Sequence, residues 1–256
     1  MKRHTRRPGD KERGGRPDRS SGLDRSPSRL PEREATRPTA PGLIYGLLPV
    51  TEALRANSRR VDKILLAEGV REHRFDEIYD LARAGGVRVE RVPREHLSRL
   101  AGDDANHQGV AAIAAAAEYV PVEEIFESTG DALIVVLDGV EDPRNLGAVL
   151  RTAECAAADG VIIPERRAVG LTETVAKSSA GASEHVKVAK VSNLNRLIED
   201  LKRRGIWVVG TSGDAETRYA DWDWKQPSAL VLGAEGGGLH RLVRENCDVL
   251  VKIPMY

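Results

Sequence analysis

From residue 132 onward the apolar positions fall in short continuous runs: ALIVVLDGV (132–140), VIIP (161–164), VKVAKV (186–191), IWVVGTS (206–212), SALVLGAE (228–235) and VLVKIP (249–254). They are rich in β-branched residues and show no polar alternation, the pattern of strands buried on both faces. Between them, stretches 145–158, 172–182, 193–204 and 238–246 carry apolar residues at helical spacing. Buried strands alternating with helices predict an α/β fold with a mostly parallel sheet covered on both sides. Ligands in such sheets bind beyond the carboxyl ends of the strands.

Upstream the pattern is more mixed. Leu47 to Ala56 predicts a helix, Asp62 to Ala67 a strand, and Arg74 to Ala84 a helix with Phe75, Ile78, Tyr79 and Ala82 on one side. Gly85 and Gly86 stop that helix. Val87 to Val92 predicts a strand, Arg94 to Leu100 a short helix and Val110 to Ala116 an apolar strand, together a small α/β unit. Residues 1–41 are rich in Arg, Pro, Gly and Ser and hold too few large apolar side chains to offset the entropy of ordering. The expected organisation is therefore a disordered basic arm (1–41), a small unit (42–117), a linker (118–129) and a larger unit (130–256).

Charge changes this picture only locally. The chain is neutral, but residues 1–40 hold 12 of the 39 Lys/Arg and 6 of the 39 Asp/Glu, which leaves 27 basic and 33 acidic residues in the body. An acidic body excludes binding to nucleic acid by overall charge and leaves the arm and local basic patches for that task. Two isolated cysteines, Cys155 and Cys247, fit a reducing compartment and lack metal-ligand spacing. No apolar run approaches the ~20 residues of a membrane helix, so a cytoplasmic location is expected, with no membrane and no metal as partners. The six histidines are scattered and predict structural or surface roles.

Two segments carry candidate chemistry. In DGVEDPRNLGAVLRTAE (138–154) a strand ends in a polar turn, and Asn145 is placed to cap the following helix. Leu146, Val149, Leu150 and Ala153 form its buried stripe, with Arg151 beside it and about 9 Å along the axis from Asn145. In LVLGAEGGGLHRLVRENCD (230–248) an apolar strand runs into Gly233, Glu235 and three glycines that open a helix, where backbone can approach a ligand closely. Neither the dinucleotide nor the phosphate-loop glycine spacing is matched. Each segment alone reads better as ordinary structure, a helix cap with a solvated Arg in the first and a tight strand-to-helix turn in the second.

Their joint occurrence in this order, NLGAVLRTAE, then LVLGAEGGGL, then VKIPM, resembles the SpoU (TrmH) family of SPOUT-class RNA methyltransferases. GLIYGLLPVTEAL (42–54) and HQGVAA (107–112) resemble the opening and closing segments of that family's small RNA substrate-binding domain. The resemblance covers 42–256 and is nearest to the branch that methylates a guanosine ribose in large-subunit ribosomal RNA. It implies a trefoil-knot fold that binds S-adenosyl-L-methionine, ribosomal RNA as partner, and a homodimer. By the same resemblance Thr211, Gly233 and Ile253 contact the cofactor, as do Gly236 and Gly237. Asn145, Arg151 and Glu235 form the catalytic set, with Glu235 anchoring the second loop and Asn145 holding the first against it. Arg151 would assist the ribose 2′-hydroxyl, more suitably as a cation stabilising the forming alkoxide than as a base, since its proton is held beyond pH ~12. Lys177 to Ala182 resembles the family segment KSSAGA, with helix packing as its first role and RNA contact as its second.

The family's third motif continues past IPM into a Ser-Leu-Asn-Val stretch, whereas this sequence stops at Tyr256. The expectation is an incomplete knot that lacks one cofactor wall and a dimerisation helix, with reduced activity. Two alternatives stay open: a transfer RNA methyltransferase, or an RNA-binding protein without turnover. A nucleotide-binding oxidoreductase is excluded because the glycine-rich loop follows a late strand and not the first.

Overall fold

The computed structural model describes residues 42–102, 105–127 and 132–254, so the basic arm read over 1–41 lies outside the described residues. The small unit runs β1 (Leu43–Tyr45), α1 (Leu47–Ala56), β2 (Val61–Ala67), α2 (Asp76–Ala84), β3 (Arg88–Val92), α3 (Arg94–Ala101) and β4 (Val110–Ala114). Its sheet has the order β1-β4-β2-β3, parallel only between β2 and β3. Period-two alternation divides β2 between two cores. Ile64 and Leu66 pack with Val50, Ala53, Ile78 and Ala82 from α1 and α2, whereas Leu65 and Ala67 pack with Leu97 of α3.

The larger unit runs β5 (Leu133–Asp138), α4 (Pro143–Cys155), β6 (Gly160–Pro164), α5 (Glu173–Ser178), β7 (Val188–Val191), α6 (Leu194–Arg203), β8 (Trp207–Thr211), β9 (Thr217–Arg218), β10 (Ser228–Gly233), α7 (Arg241–Asn246) and β11 (Val249–Lys252). The sheet order is β7-β6-β5-β10-β8-β11-β9, and every pairing is parallel. α6 and α7 cover one face, where Ile134, Val136, Leu197, Ile198, Leu201 and Val243 share a core. α4 and α5 cover the other, with Val135, Leu137, Leu146, Leu150 and Val175. Strand order turns back between β5 and β10, so their carboxyl ends bound a crevice at the switch point.

Two local expectations are overturned. Asn145 does not cap α4. Asp142 does, its Oδ1 accepting from the Arg144 and Asn145 N–H groups at 2.6 and 3.4 Å, with Pro143 in the first helical position. The glycines after Glu235 do not open a helix either. Ala234 and Gly238 exchange backbone hydrogen bonds of 2.9 and 3.0 Å across a tight loop, and α7 begins only at Arg241. The predicted connector over 119–129 contributes to the fold where it is described: Val120 bridges to Ala189, and Ile125 is buried in the α6-side core.

The two units meet along the KSSAGA segment. Glu184 is buried there, pairs with Arg59, and accepts from Ser58 Oγ at 2.9 Å. Lys177 Nζ donates to the Asn106 carbonyl at 3.0 Å and lies 4.7 Å from the Tyr45 ring centroid. Ser178 Oγ donates to the Pro143 carbonyl at 3.1 Å, which ties the seam to the start of α4. The segment thus packs against α4 and contacts the small unit.

Candidate active site

The crevice between β5 and β10 opens into a cleft of about 630 Å³ lined by Gly139, Glu141, Asn145, Gly233, Glu235 and His240, among others. This size lies within the ~300–1,000 Å³ typical of ligand clefts. With Asp142 serving as cap, the Asn145 side chain is free, and its Nδ2 donates to Glu235 Oε2 at 3.1 Å. That bond joins residues 90 positions apart and ties the turn after β5 to the loop after β10. Gly233 stands opposite Asp138 in the sheet, and a Cβ on Gly233 would run into the backbone of Gly238. No side chain fits where the loop folds back on its own strand.

The other expected site residues stand around this rim at varying distance. Thr211 ends β8, next to β10 and β11, and its Oγ1 donates to the Val231 carbonyl at 3.1 Å. Ile253 follows β11 directly and is 58% exposed. Parallel pairing puts Gly233, Thr211 and Ile253 at the same edge of the sheet. Gly236 and Gly237 are exposed at the tip of the 234–238 loop and face open space. None of Thr211, Ile253, Gly236 and Gly237 lines the cleft. Arg151 does not line it either. It is exposed on α4 and makes no hydrogen bond or ion pair among the described residues.

Sequence reasoning missed a second pair in the cleft. Asp138, at the end of β5 with its side chain 5% exposed, accepts from His240 Nδ1 at 2.8 Å and from the His240 backbone N–H at 2.7 Å. The two residues are 102 positions apart, so no local spacing could have linked them. A polar carboxylate closing an otherwise apolar strand was the only available signal. Arg167, exposed and in the left-handed region at φ 56°, also lines the cleft. Among the described residues no cluster of His, Cys, Asp or Glu could hold a metal ion, and no helix is long and apolar enough to cross a membrane.

A cleft at the switch point of a parallel sheet, bridged from the first turn of α4 to the loop after β10, is the place where α/β proteins take ligands at their strand ends. Solved structures share this architecture. AviRb, a SpoU methyltransferase from Streptomyces viridochromogenes crystallised with AdoMet, superposes with a TM-score of 0.70 at 24% identity, over 84% of this chain and 81% of its own. An RNA 2′-O ribose methyltransferase gives 0.67 at 28% identity, over 84% of this chain and 79% of its own. The SpoU rRNA Methylase family matches residues 132–256, and the family of RNA 2′-O ribose methyltransferase substrate binding domains matches 43–120. YacO of Bacillus subtilis (strain 168), assigned to the TrmH family of tRNA/rRNA methyltransferases, is 43% identical over 216 residues, 83% of this chain and 86% of its own. A relative of the same assignment from Staphylococcus haemolyticus (strain JCSC1435) is 44% identical over 217 residues, with the same shares covered. The chain belongs to the SpoU/TrmH family of RNA methyltransferases.

Proposed function

We propose that this protein transfers a methyl group from S-adenosylmethionine to a ribose 2′-hydroxyl of ribosomal RNA, at a guanosine of the large subunit. The observation that carries the reading is the Asn145–Glu235 bond, which joins the first turn of α4 to the loop after β10 at the cleft. The cleft suits the cofactor chemically. S-adenosylmethionine brings a sulfonium and an ammonium, and Glu141, Asp142 and Glu235 surround the space with carboxylates against the single cation Arg167. Backbone at the strand ends would hold it: Gly233 lines the cleft, and Thr211 and Ile253 stand at the same sheet edge outside its lining, with Gly236 and Gly237 open to solvent at the loop tip.

When bound, the cofactor supplies an already electrophilic methyl, so the protein's task is alignment of the attacking oxygen and management of its charge and proton. Arg151 is assigned to the charge: a guanidinium on the open face of α4 steadies the forming alkoxide or the adjacent phosphate once RNA is seated. The small unit (42–117) acts as the RNA substrate-binding domain, in the cytoplasm, and the homodimer is the working form of the family's full-length members.

The test incubates the full chain with cofactor and either large-subunit ribosomal RNA or transfer RNA, then maps ribose methylation by mass spectrometry. A 2′-O-methylguanosine in the ribosomal RNA is expected. Methylation of transfer RNA alone moves the substrate to the other class. Cofactor binding without methylation of either defines a binding protein. In the same assay Arg151→Ala abolishes turnover and leaves cofactor affinity intact; turnover near the normal rate removes Arg151 from the mechanism.

A further inference from the structure

Methylation of a hydroxyl releases a proton, and the groups named so far offer it no good acceptor. Arginine does not give up its own proton below pH ~12. A carboxylate is a weak base, near pKa ~4.3, and one oxygen of Glu235 is already engaged by Asn145. Asp142 is engaged as the cap of α4. An imidazole nitrogen is a stronger base than a carboxylate oxygen.

His240 is the one imidazole lining the cleft, and its surroundings set it up as a base. An ionised carboxylate only accepts hydrogen bonds, so the 2.8 Å contact to Asp138 Oδ1 requires the hydrogen on Nδ1. The lone pair of a neutral ring is then on Nε2, which makes no hydrogen bond among the described residues. The ring is half exposed while Asp138 is buried, so the pair is anchored on one side and open on the other. It lies against Gly139, where a Cβ would come 3.2 Å from Cε1. His240 also borders the adjoining groove with Arg166 and Arg241, cations suited to the phosphates flanking a target ribose.

We propose that His240, oriented by Asp138, is the proton acceptor of methyl transfer; the proposal rests on the reading given under Proposed function. The ribose 2′-oxygen forms its bond to the methyl carbon as the carbon–sulfur bond breaks, with that electron pair returning to sulfur. The hydroxyl proton passes to His240 Nε2, and the imidazolium later releases it to solvent. Asp138 is a positioning residue that fixes the tautomer and stabilises the charged ring.

The bland alternative is that Asp138 only satisfies the backbone N–H ahead of α7. Three measurements separate the two. In the cofactor-free protein, nitrogen-detected NMR of the His240 ring is expected to show hydrogen on Nδ1 and a bare Nε2 above neutral pH. A protonated Nε2 overturns the proposal. In single-turnover methylation at saturating cofactor, His240→Ala and His240→Gln are each expected to lose about 10²- to 10⁴-fold in rate. Cofactor Kd should stay within about twofold, since neither change touches the strand-end backbone. Gln keeps an amide donor but has no basic nitrogen, so rescue by Gln also overturns the proposal. Third, the pH–rate profile of the wild-type protein is expected to carry a limb that vanishes in both variants. The other ionisable groups around the ring are Asp138 on β5, Glu141, Asp142, Arg166, Arg167 and Glu235 on neighbouring loops, and Arg241 on α7. If one of them sets the limb, it persists without His240 and the proposal fails. A wild-type protein that neither binds cofactor nor methylates RNA refutes the proposed function instead, and the NMR tautomer still decides whether His240 is poised as a base.

Discussion

Asp142 takes over the capping of α4, and that frees the Asn145 amide to reach across to Glu235. The bond is solvent-exposed, so its contribution to stability is small and its value is positional. Asn145→Ala should therefore shift the urea midpoint by less than about 0.5 kcal/mol equivalent while sharply reducing methyl transfer. A large loss of stability would make Asn145 a structural residue. His107 is a contrasting polar residue. It is buried, accepts from the Gly109 N–H at 3.1 Å through Nδ1, and has its pKa lowered by burial, with Arg94 and Lys177 adding to the effect. The unfolded chain takes up this proton near pH ~6.5, whereas the native state resists it until lower pH. The unfolded state thus binds more protons in that window, and stability falls as pH drops from 6.5 toward the lowered native value. Urea unfolding between pH 8 and 5.5 should show this slope, and His107→Gln should flatten it. The cysteines differ in the same manner. Cys155 is exposed, whereas burial pushes the Cys247 thiol up to about 11. Native protein should react with one equivalent of a thiol reagent and denatured protein with two.

Among the elements, α4 and α5 are packed closely. A Cβ on Gly147 would run into Ser178, whose hydroxyl is bonded to the Pro143 and Thr174 carbonyls and cannot easily give way. Gly147→Ala should lower stability by about 1–3 kcal/mol through overpacking, even though alanine is the better helix former. An unchanged or raised thermal midpoint would show that the helices can separate at little cost. The long elements were legible in the sequence because their signals are local. The continuous runs of β5, β10 and β8 mark strands buried on both faces, and Leu194, Leu197, Ile198 and Leu201 mark the buried side of α6. Short elements carried no such signal. β1 is three apolar residues immediately before an apolar helix, and β9 is a polar pair held only by β11. Glycine permits both a helix start and the 234–238 loop, and it is the Ala234–Gly238 pairing that selects the loop. At the site, Asn145, Glu235 and Gly233 could be picked out from their motifs. Asp138 and His240 could not, because only the sheet register and the return of the chain after β10 bring them together.

At the scale of the whole molecule, the seam between the small and large units is connected to the cleft by a short chain of contacts. Arg59 and Glu184 pair with side chains 8% and 2% exposed, and Ser58 completes the carboxylate's partners. Six residues upstream of Glu184, at the end of α5, Ser178 donates to the Pro143 carbonyl, and Pro143 is two residues from Asn145. Removing one member of a buried ion pair strands the other charge, at a cost of about 3–5 kcal/mol, whereas apolar replacement of both can be nearly neutral. Glu184→Ala should accordingly lose stability in that range by urea denaturation, and the Arg59→Met, Glu184→Leu double variant should recover most of it. Function adds a second discriminator. If the small unit positions RNA over the cleft, the double variant should fold and bind cofactor normally, yet methylate RNA with a raised KM because the seam has lost its directional hydrogen bonds. An unchanged KM would show that the packing of β1 against α5 suffices to hold the two units in register, and that the ion pair contributes nothing beyond stability.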